Sequence, residues 1–413
     1  MPIVILWWER GLVTALYLSI ALLGVGRLES LQMRGSISAW SISRTTFFFW
    51  VFFKLLLLFR GGWTASGLPK LRSLTPLYGF FFVVTVSLLP DFHQAGDYRY
   101  FFFGCAHAVM LVDLFAAEPR KERLVWLLGV LPAILVVRGL LHDPLVLNFD
   151  LAHRFTFPLD SWNTAGYLFA TSLPLCLFVA VAKPGWSRAL GSVSCAAQLL
   201  GLVLTFSRGA WLGWGASMLC LGITTRTRKY IVAAVVLALA CVLAAPSLRQ
   251  RALSLSQPQS DQSIRERVQL LKSSVQLGME NPVLGVGYGR GRLKEALRSR
   301  LQGTLLEDSP IWHTHNLYVE LFAGTGLIGL STFLWLIGYI LLRLWRSAIR
   351  RDGSGRLLEF AIGSSLIGGL VAGIGDIPFY HHETRIFFFT LLALAHLYSL
   401  DAGVTNLAAK NAK

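Results

Sequence analysis

Residues 313–345 read HTHNLYVELFAGTGLIGLSTFLWLIGYILLRLW. From Leu317 to Trp345 the run carries only two charges, Glu320 and Arg343. It exceeds the roughly 20 residues that a helix needs to cross a bilayer. The histidines His313 and His315, followed by Asn316, stand directly before it, and the longest polar stretch of the chain lies upstream. Imidazole has the unperturbed pKa nearest neutrality and can both take and give a proton there. A histidine at the mouth of a span, facing a basic polar loop, points to chemistry at a membrane surface. The plainer alternative is that these residues only cap and anchor the span.

The same apolar pattern recurs outward in both directions. The chain has 413 residues, of which 54% are hydrophobic and only 15% charged, against roughly 25% charged in soluble domains. Its mean hydropathy is +0.57. Apolar runs fall at 3–25, 38–59, 74–90, 100–117, 124–141, 164–182, 188–206, 209–223, 230–246, 315–345, 357–375 and 385–400. The expected fold is an all-α polytopic membrane protein with about twelve transmembrane helices and one large loop containing short helices. The organisation is then 1–246 (nine helices), 247–314 (the loop domain) and 315–413 (three helices and a tail). The first run is too long and lacks the basic leader of a cleavable signal peptide. Cys105, Cys176, Cys195, Cys220 and Cys241 all sit in apolar runs, which gives no disulfide framework. The net charge of +16 lies mostly in short inter-span loops, where topology explains it better than nucleic-acid binding.

Arg60, Lys70 and Arg72 mark one basic loop, and Arg120, Lys121 and Arg123 the next. Lys183 with Arg188, then Arg226, Arg228 and Lys229, then Arg343, Arg346, Arg350, Arg351 and Arg356 mark the others. These alternate, which predicts both termini in the cytoplasm and loop 247–314 on the outer side. Arg27, Arg34 and Arg44 fall outside against the rule. Outward arginines, Arg154 among them, gain nothing from the topology rule, and an anionic ligand is the simplest reason for them. Arg208, in the turn Ser207-Arg208-Gly209 between two apolar runs, is costly unless it snorkels, pairs or binds an anion.

In the long loop, Ile264, Val268, Leu271 and Val275 recur at helical spacing, with Asp261 or Ser263 as the cap and Asn281-Pro282 as the stop. Arg265 and Arg267 are two residues apart and so point to different faces of that helix. Residues 291–301 predict a second, basic helix. Gly285-Val286-Gly287-Tyr288-Gly289 fails as a dinucleotide fingerprint, because Arg290 stands where a glycine is needed. A tight loop docking on the membrane domain is expected instead. Asp376, His381, His382 and Glu383 form another outward polar cluster. No HExxH pattern and no cysteine ligand accompanies the histidines, so neither a metal nor a cofactor is expected.

Three segments together resemble one family. Thr205-Phe206-Ser207-Arg208-Gly209-Ala210-Trp211-Leu212, Asn281-Pro282-Val283-Leu284-Gly285-Val286-Gly287-Tyr288-Gly289 and the run from His313 to Leu330 are similar, in this order, to motifs of the O-antigen ligase and polymerase superfamily. The resemblance implies a bacterial inner-membrane glycosyltransferase whose active site faces the periplasm. Its donor would be a glycan on undecaprenyl pyrophosphate. Ligases of the family pass O-antigen to lipid A–core, polymerases extend the chain, and related enzymes glycosylate protein. The single late loop and the paired histidines favour the ligase. Many members carry a tryptophan about one turn after the loop arginine. Here that stretch reads Val268-Gln269-Leu270-Leu271, a departure from the family pattern that leaves the assignment to Arg265 or Arg267 open.

The residues suit that chemistry on their own terms. A pyrophosphate leaving group needs cationic partners, and arginine forks match phosphate oxygens. Arg208 and one of Arg265 or Arg267 are expected there. The acceptor hydroxyl needs a base, supplied by His315 or His313. Asn316 is expected to cap the span and Glu320 to orient His315, with His382 and Arg154 in support. A transporter of an anionic lipid-linked sugar is the competing class. It predicts ionisable groups near mid-membrane rather than gathered at one face.

Overall fold

The computed structural model describes residues 2–25, 28–29, 36–37, 39–59, 73–88, 96–116, 118, 121–159, 161–224, 226–253, 262–304, 306 and 313–411. Arg27, Arg34, Arg60, Lys70, Arg72, Arg120 and Asp261 lie outside them. The helices are α1 (Pro2–Val25), α2 (Ala39–Phe59), α3 (Thr75–Val86), α4 (Gly96–Phe115), α5 (Glu122–Val130), α6 (Ala133–His142), α7 (Trp162–Ala182) and α8 (Gly185–Leu204). Then follow α9 (Arg208–Leu221), α10 (Arg228–Ala244), α11 (Pro246–Leu253), α12 (Gln262–Glu280), α13 (Arg290–Arg298), α14 (Leu317–Ala348), α15 (Gly353–Ala372) and α16 (His382–Asn411). Among the described residues, strand pairing is confined to Leu28–Glu29 against Ser36–Ile37. Arg44 falls inside α2 rather than in a loop.

Helices fall on all twelve apolar runs, and among the described residues several meet the length and apolarity that crossing demands. Glu122–His142, Trp162–Ala182, Gly185–Leu204, Leu317–Ala348 and Gly353–Ala372 do so, and the bent pair α10–α11, turned by 103°, is a sixth candidate. α3 has 12 residues, which at 1.5 Å each spans about 18 Å of a hydrocarbon core about 30 Å thick. The architecture is that of a multi-pass α-helical membrane protein.

The packed centre is α7, almost wholly buried and enclosed by α5, α8, α9, α15 and α16. With lipid outside, helices gain little from burying apolar surface against each other, so small residues that allow close approach decide the contacts. At the α9–α15 crossing a Cβ on Gly213 would lie 2.5 Å from Gly368 O, so any side chain there would push the helices apart. Ser161 starts α7 by accepting from Thr164 N at 3.2 Å, as a serine N-cap does.

Two features of the late chain position the site. α14 is broken at Gly326, whose φ of 67° and ψ of −169° are non-helical, a region open essentially to glycine alone. The 282–287 loop docks across this break: Leu327 N donates to Pro282 O at 2.7 Å, Val286 N to Ala323 O at 2.9 Å and Gly287 N to Gly324 O at 2.9 Å. The expected docking loop is thus a backbone graft onto α14. The second feature is a small core of Leu270, Leu277, Leu293, Leu297, Leu301 and Leu306 that includes Ala323 of α14. The 247–314 segment therefore shares its core with the helix that follows it.

Candidate active site

The loop before α14 is built by its own side chains. Asn316 caps the helix, its Oδ1 accepting from Tyr318 N and Val319 N, both at 3.0 Å, as the sequence predicted. Its amide donates to Ile374 O at 3.2 Å, and Leu317 N donates to Gly373 O at 2.7 Å. These bonds tie the loop to the turn after α15. His315 holds a left-handed backbone, φ 55°, an uncommon state for a non-glycine residue and one to which histidine is more prone than most.

That turn supplies the carboxylate. His313 Nε2 lies 2.8 Å from Asp376 Oδ1, and His315 Nδ1 lies 3.6 Å from the same oxygen. The imidazole rings face each other at 4.1 Å between centroids. His313 is the more enclosed, with 10% of its side chain exposed against 32% for His315, and its Nδ1 is buried. His315 thus turns Nδ1 inward toward Asp376, with Nε2 on the far side of a ring that is one-third exposed. Burial lowers the His315 pKa, as do the nearby charges of His313 and Arg267, against the raising effect of Asp376. For Asp376, burial works against ionisation, yet the hydrogen bonds and charges of His313 and His315 prevail and hold its carboxyl well below the usual range.

Cations approach the same turn. Arg267 Nη1 donates to Gly375 O at 3.2 Å, whereas Arg265 is exposed on the other face of α12. The backbone of Gly209 packs on Gly375, where a Cβ would meet Gly375 Cα at 3.3 Å. Arg208, 8% exposed, therefore starts α9 beside the Gly375-Asp376 step. Two residues before it, Phe206 holds a left-handed backbone at φ 52°, and Ser207 Oγ donates to Asn163 Oδ1 at 2.9 Å. A helix N-terminus adds its own positive field.

Other predicted residues lie elsewhere or act differently. Glu320 is buried and accepts from Thr314 N at 2.9 Å and from the Tyr380 hydroxyl. The carboxylate beside both histidine rings is instead that of Asp376. Arg154 donates to Leu151 O at 3.1 Å and stacks over Trp162 at 4.7 Å. His382 meets Tyr100 at 5.0 Å between centroids and Arg385 Nη1 at 3.4 Å. Sequence grouping had put Asp376 with His381, His382 and Glu383, and it missed Tyr380. Among the described residues the cluster able to hold a metal is His313, His315 and Asp376, whose ligand atoms lie within 4.8 Å of one another. The 2.8 Å contact inside it is of hydrogen-bond length, the arrangement of an oriented imidazole pair.

Residues 193–334 match a family model described as O-antigen ligase. This segment holds Arg208, Arg267 and both histidines and stops short of Asp376. No curated protein matches the chain at a significant level.

Proposed function

We propose, from the match of residues 193–334 to a family model described as O-antigen ligase, that this chain belongs to the O-antigen ligase/polymerase superfamily and is an O-antigen ligase. It transfers a glycan from undecaprenyl pyrophosphate to lipid A–core at the periplasmic face of the inner membrane. The observation that carries this reading is the meeting of the histidine pair, Arg267 and the Arg208 turn on one step of chain, Gly375-Asp376. A base and phosphate-binding cations at one site suit a transfer from a pyrophosphate donor.

His315 Nε2 removes the proton of the acceptor hydroxyl as that oxygen bonds to the anomeric carbon. The bond from this carbon to the pyrophosphate oxygen breaks on the opposite side, inverting the centre. The electron pair leaves on pyrophosphate, held by Arg208 and Arg267. Asp376 fixes the His315 ring by facing Nδ1 and stabilises the imidazolium, the part a buried carboxylate plays beside a histidine base. The 3.6 Å separation is of the length that catalytic pairs show before substrate tightens them. His313, bonded to the same oxygen, holds Asp376 in place. The leaving group is already a stable anion, so the reaction needs neither a general acid nor a metal.

The test is transfer by the purified protein in liposomes with lipid-linked O-antigen and lipid A–core, with and without a chelator. Core-linked glycan in both cases is the expected result. Longer lipid-linked chains instead would make it a polymerase. Movement of the glycolipid across the vesicle without a new covalent product would make it a transporter. Loss of product on chelation would give the His313–His315–Asp376 cluster to a metal.

A further inference from the structure

The loop before α14 must hold His315 in a backbone state that costs free energy, and such states persist only where their surroundings over-determine them. Asn316 secures the helix side. Thr314 braces the turn, its hydroxyl donating to Asn316 O at 2.9 Å. The remaining tie runs through Glu320, which is 2% exposed. One of its oxygens accepts the Thr314 N–H at 2.9 Å, and the other accepts the Tyr380 hydroxyl. Tyr380 is buried, follows Asp376 in the same short segment between α15 and α16, and sets its ring 5.7 Å from that of His313.

These contacts form a closed circuit. His313 bonds Asp376, the chain runs from Asp376 to Tyr380, Tyr380 bonds Glu320, Glu320 bonds Thr314, and Thr314 adjoins both histidines. We infer that Glu320 and Tyr380 are positioning residues for the transfer, whose hydrogen bond locks the histidine loop to the Asp376 segment and so fixes where His315 Nε2 points. This rests on His315 being the base. Neither residue is itself catalytic: both are buried, with the Glu320 oxygens turned to Thr314 and Tyr380 and out of reach of an acceptor hydroxyl. The pair also explains why Glu320 sits one turn into α14. From there it reaches back to the loop backbone and across to α16's leading segment at once.

The test uses the full-length protein in liposomes, with Tyr380→Phe and Glu320→Gln made singly and each combined with His315→Ala. Tyr380→Phe keeps the ring and removes only the hydroxyl. Loss of aim costs turnover on the order of 10–100-fold, with KM for the lipid-linked donor unchanged. In the His315→Ala background the same substitutions leave the residual rate within about twofold, since no base remains to be aimed. A wild-type kcat for Tyr380→Phe and Glu320→Gln, with His315→Ala inactive, overturns the positioning role and leaves the base assignment standing. An equal loss in both backgrounds overturns it too, because the pair would then serve folding at large. Full activity of His315→Ala removes the base, and the inference with it. If Tyr380→Phe does not fold, Glu320→Gln carries the same comparison, because it removes the acceptor for one of the two donors at unchanged size.

Discussion

Arg265 and Arg267 are two positions apart on α12, and that spacing alone sends them to different sides. Arg267 reaches Gly375; Arg265 is exposed. Arg267→Ala should therefore cut transfer strongly while Arg265→Ala stays near wild type, as read by core-linked product at saturating acceptor. Arg208→Lys keeps the charge but loses the planar fork, so its rate should fall well below that of the parent. For His315 the direction of the pKa shift sets the pH profile. Burial lowers the pKa of this base against the opposing pull of Asp376, so His315 sheds its proton at lower pH than a free imidazole does. The acid limb of turnover should accordingly lie below that of a free imidazole. Asp376→Asn removes the group that works to raise this pKa. Its acid limb should move to still lower pH while the plateau drops on the order of 10²-fold or more. An acid limb that moves upward instead would contradict the Asp376–His315 pairing. Both histidines, Arg208 and the cap Asn316 were legible from residue type and place. Asp376 was visible only as a member of a polar cluster, because its partner His313 lies 63 positions away. Local spacing offered Glu320 to His315, but that side chain turns to the loop backbone.

At the scale of elements, the break in α14 is what seats the 282–287 loop. In sequence, Gly324-Thr325-Gly326-Leu327-Ile328-Gly329 reads as uninterrupted apolar helix. Nothing local marks Gly326 as the residue with a glycine-only backbone, since the cause is the distant Val283 carbonyl, which a Cβ on Gly326 would overlap. Gly326→Ala should destabilise the protein by about 1–3 kcal/mol from backbone strain alone, with the overlap adding to it. Thermal inactivation in detergent checks this, and an unchanged midpoint would mean that the loop is not held as described. Gly338, on the same helix, has open space around its Cβ direction, so Gly338→Ala is the matched control with little expected effect. Helices α12 and α13 were readable from periodicity and from the Asn281-Pro282 stop. Their shared core with Ala323 was not, because that contact joins the loop to a span beyond it.

For the whole molecule, helical class and membrane character follow from hydropathy, and all twelve apolar runs are helical. The number that crosses the bilayer is less legible, since α3 and α9, with 12 and 14 residues, are shorter than a bilayer-spanning helix and depend on their neighbours for placement. The site gathers between the starts of α9, α14 and α16 and the loop helix α12. The basic-loop alternation predicts that end to lie outside. A cysteine replacing Ser299, on the exposed surface after α13, should react with an impermeant thiol reagent in intact spheroplasts, and labelling only after lysis would invert the topology. The central claim is that a histidine base on this face transfers a lipid-linked glycan. Its most direct measurement is the rate of core-linked product formed in liposomes by His315→Ala beside the parent protein, with donor binding followed in parallel. The account predicts a loss on the order of 10²–10⁴-fold with donor binding retained. A near-parental rate for His315→Ala would contradict it.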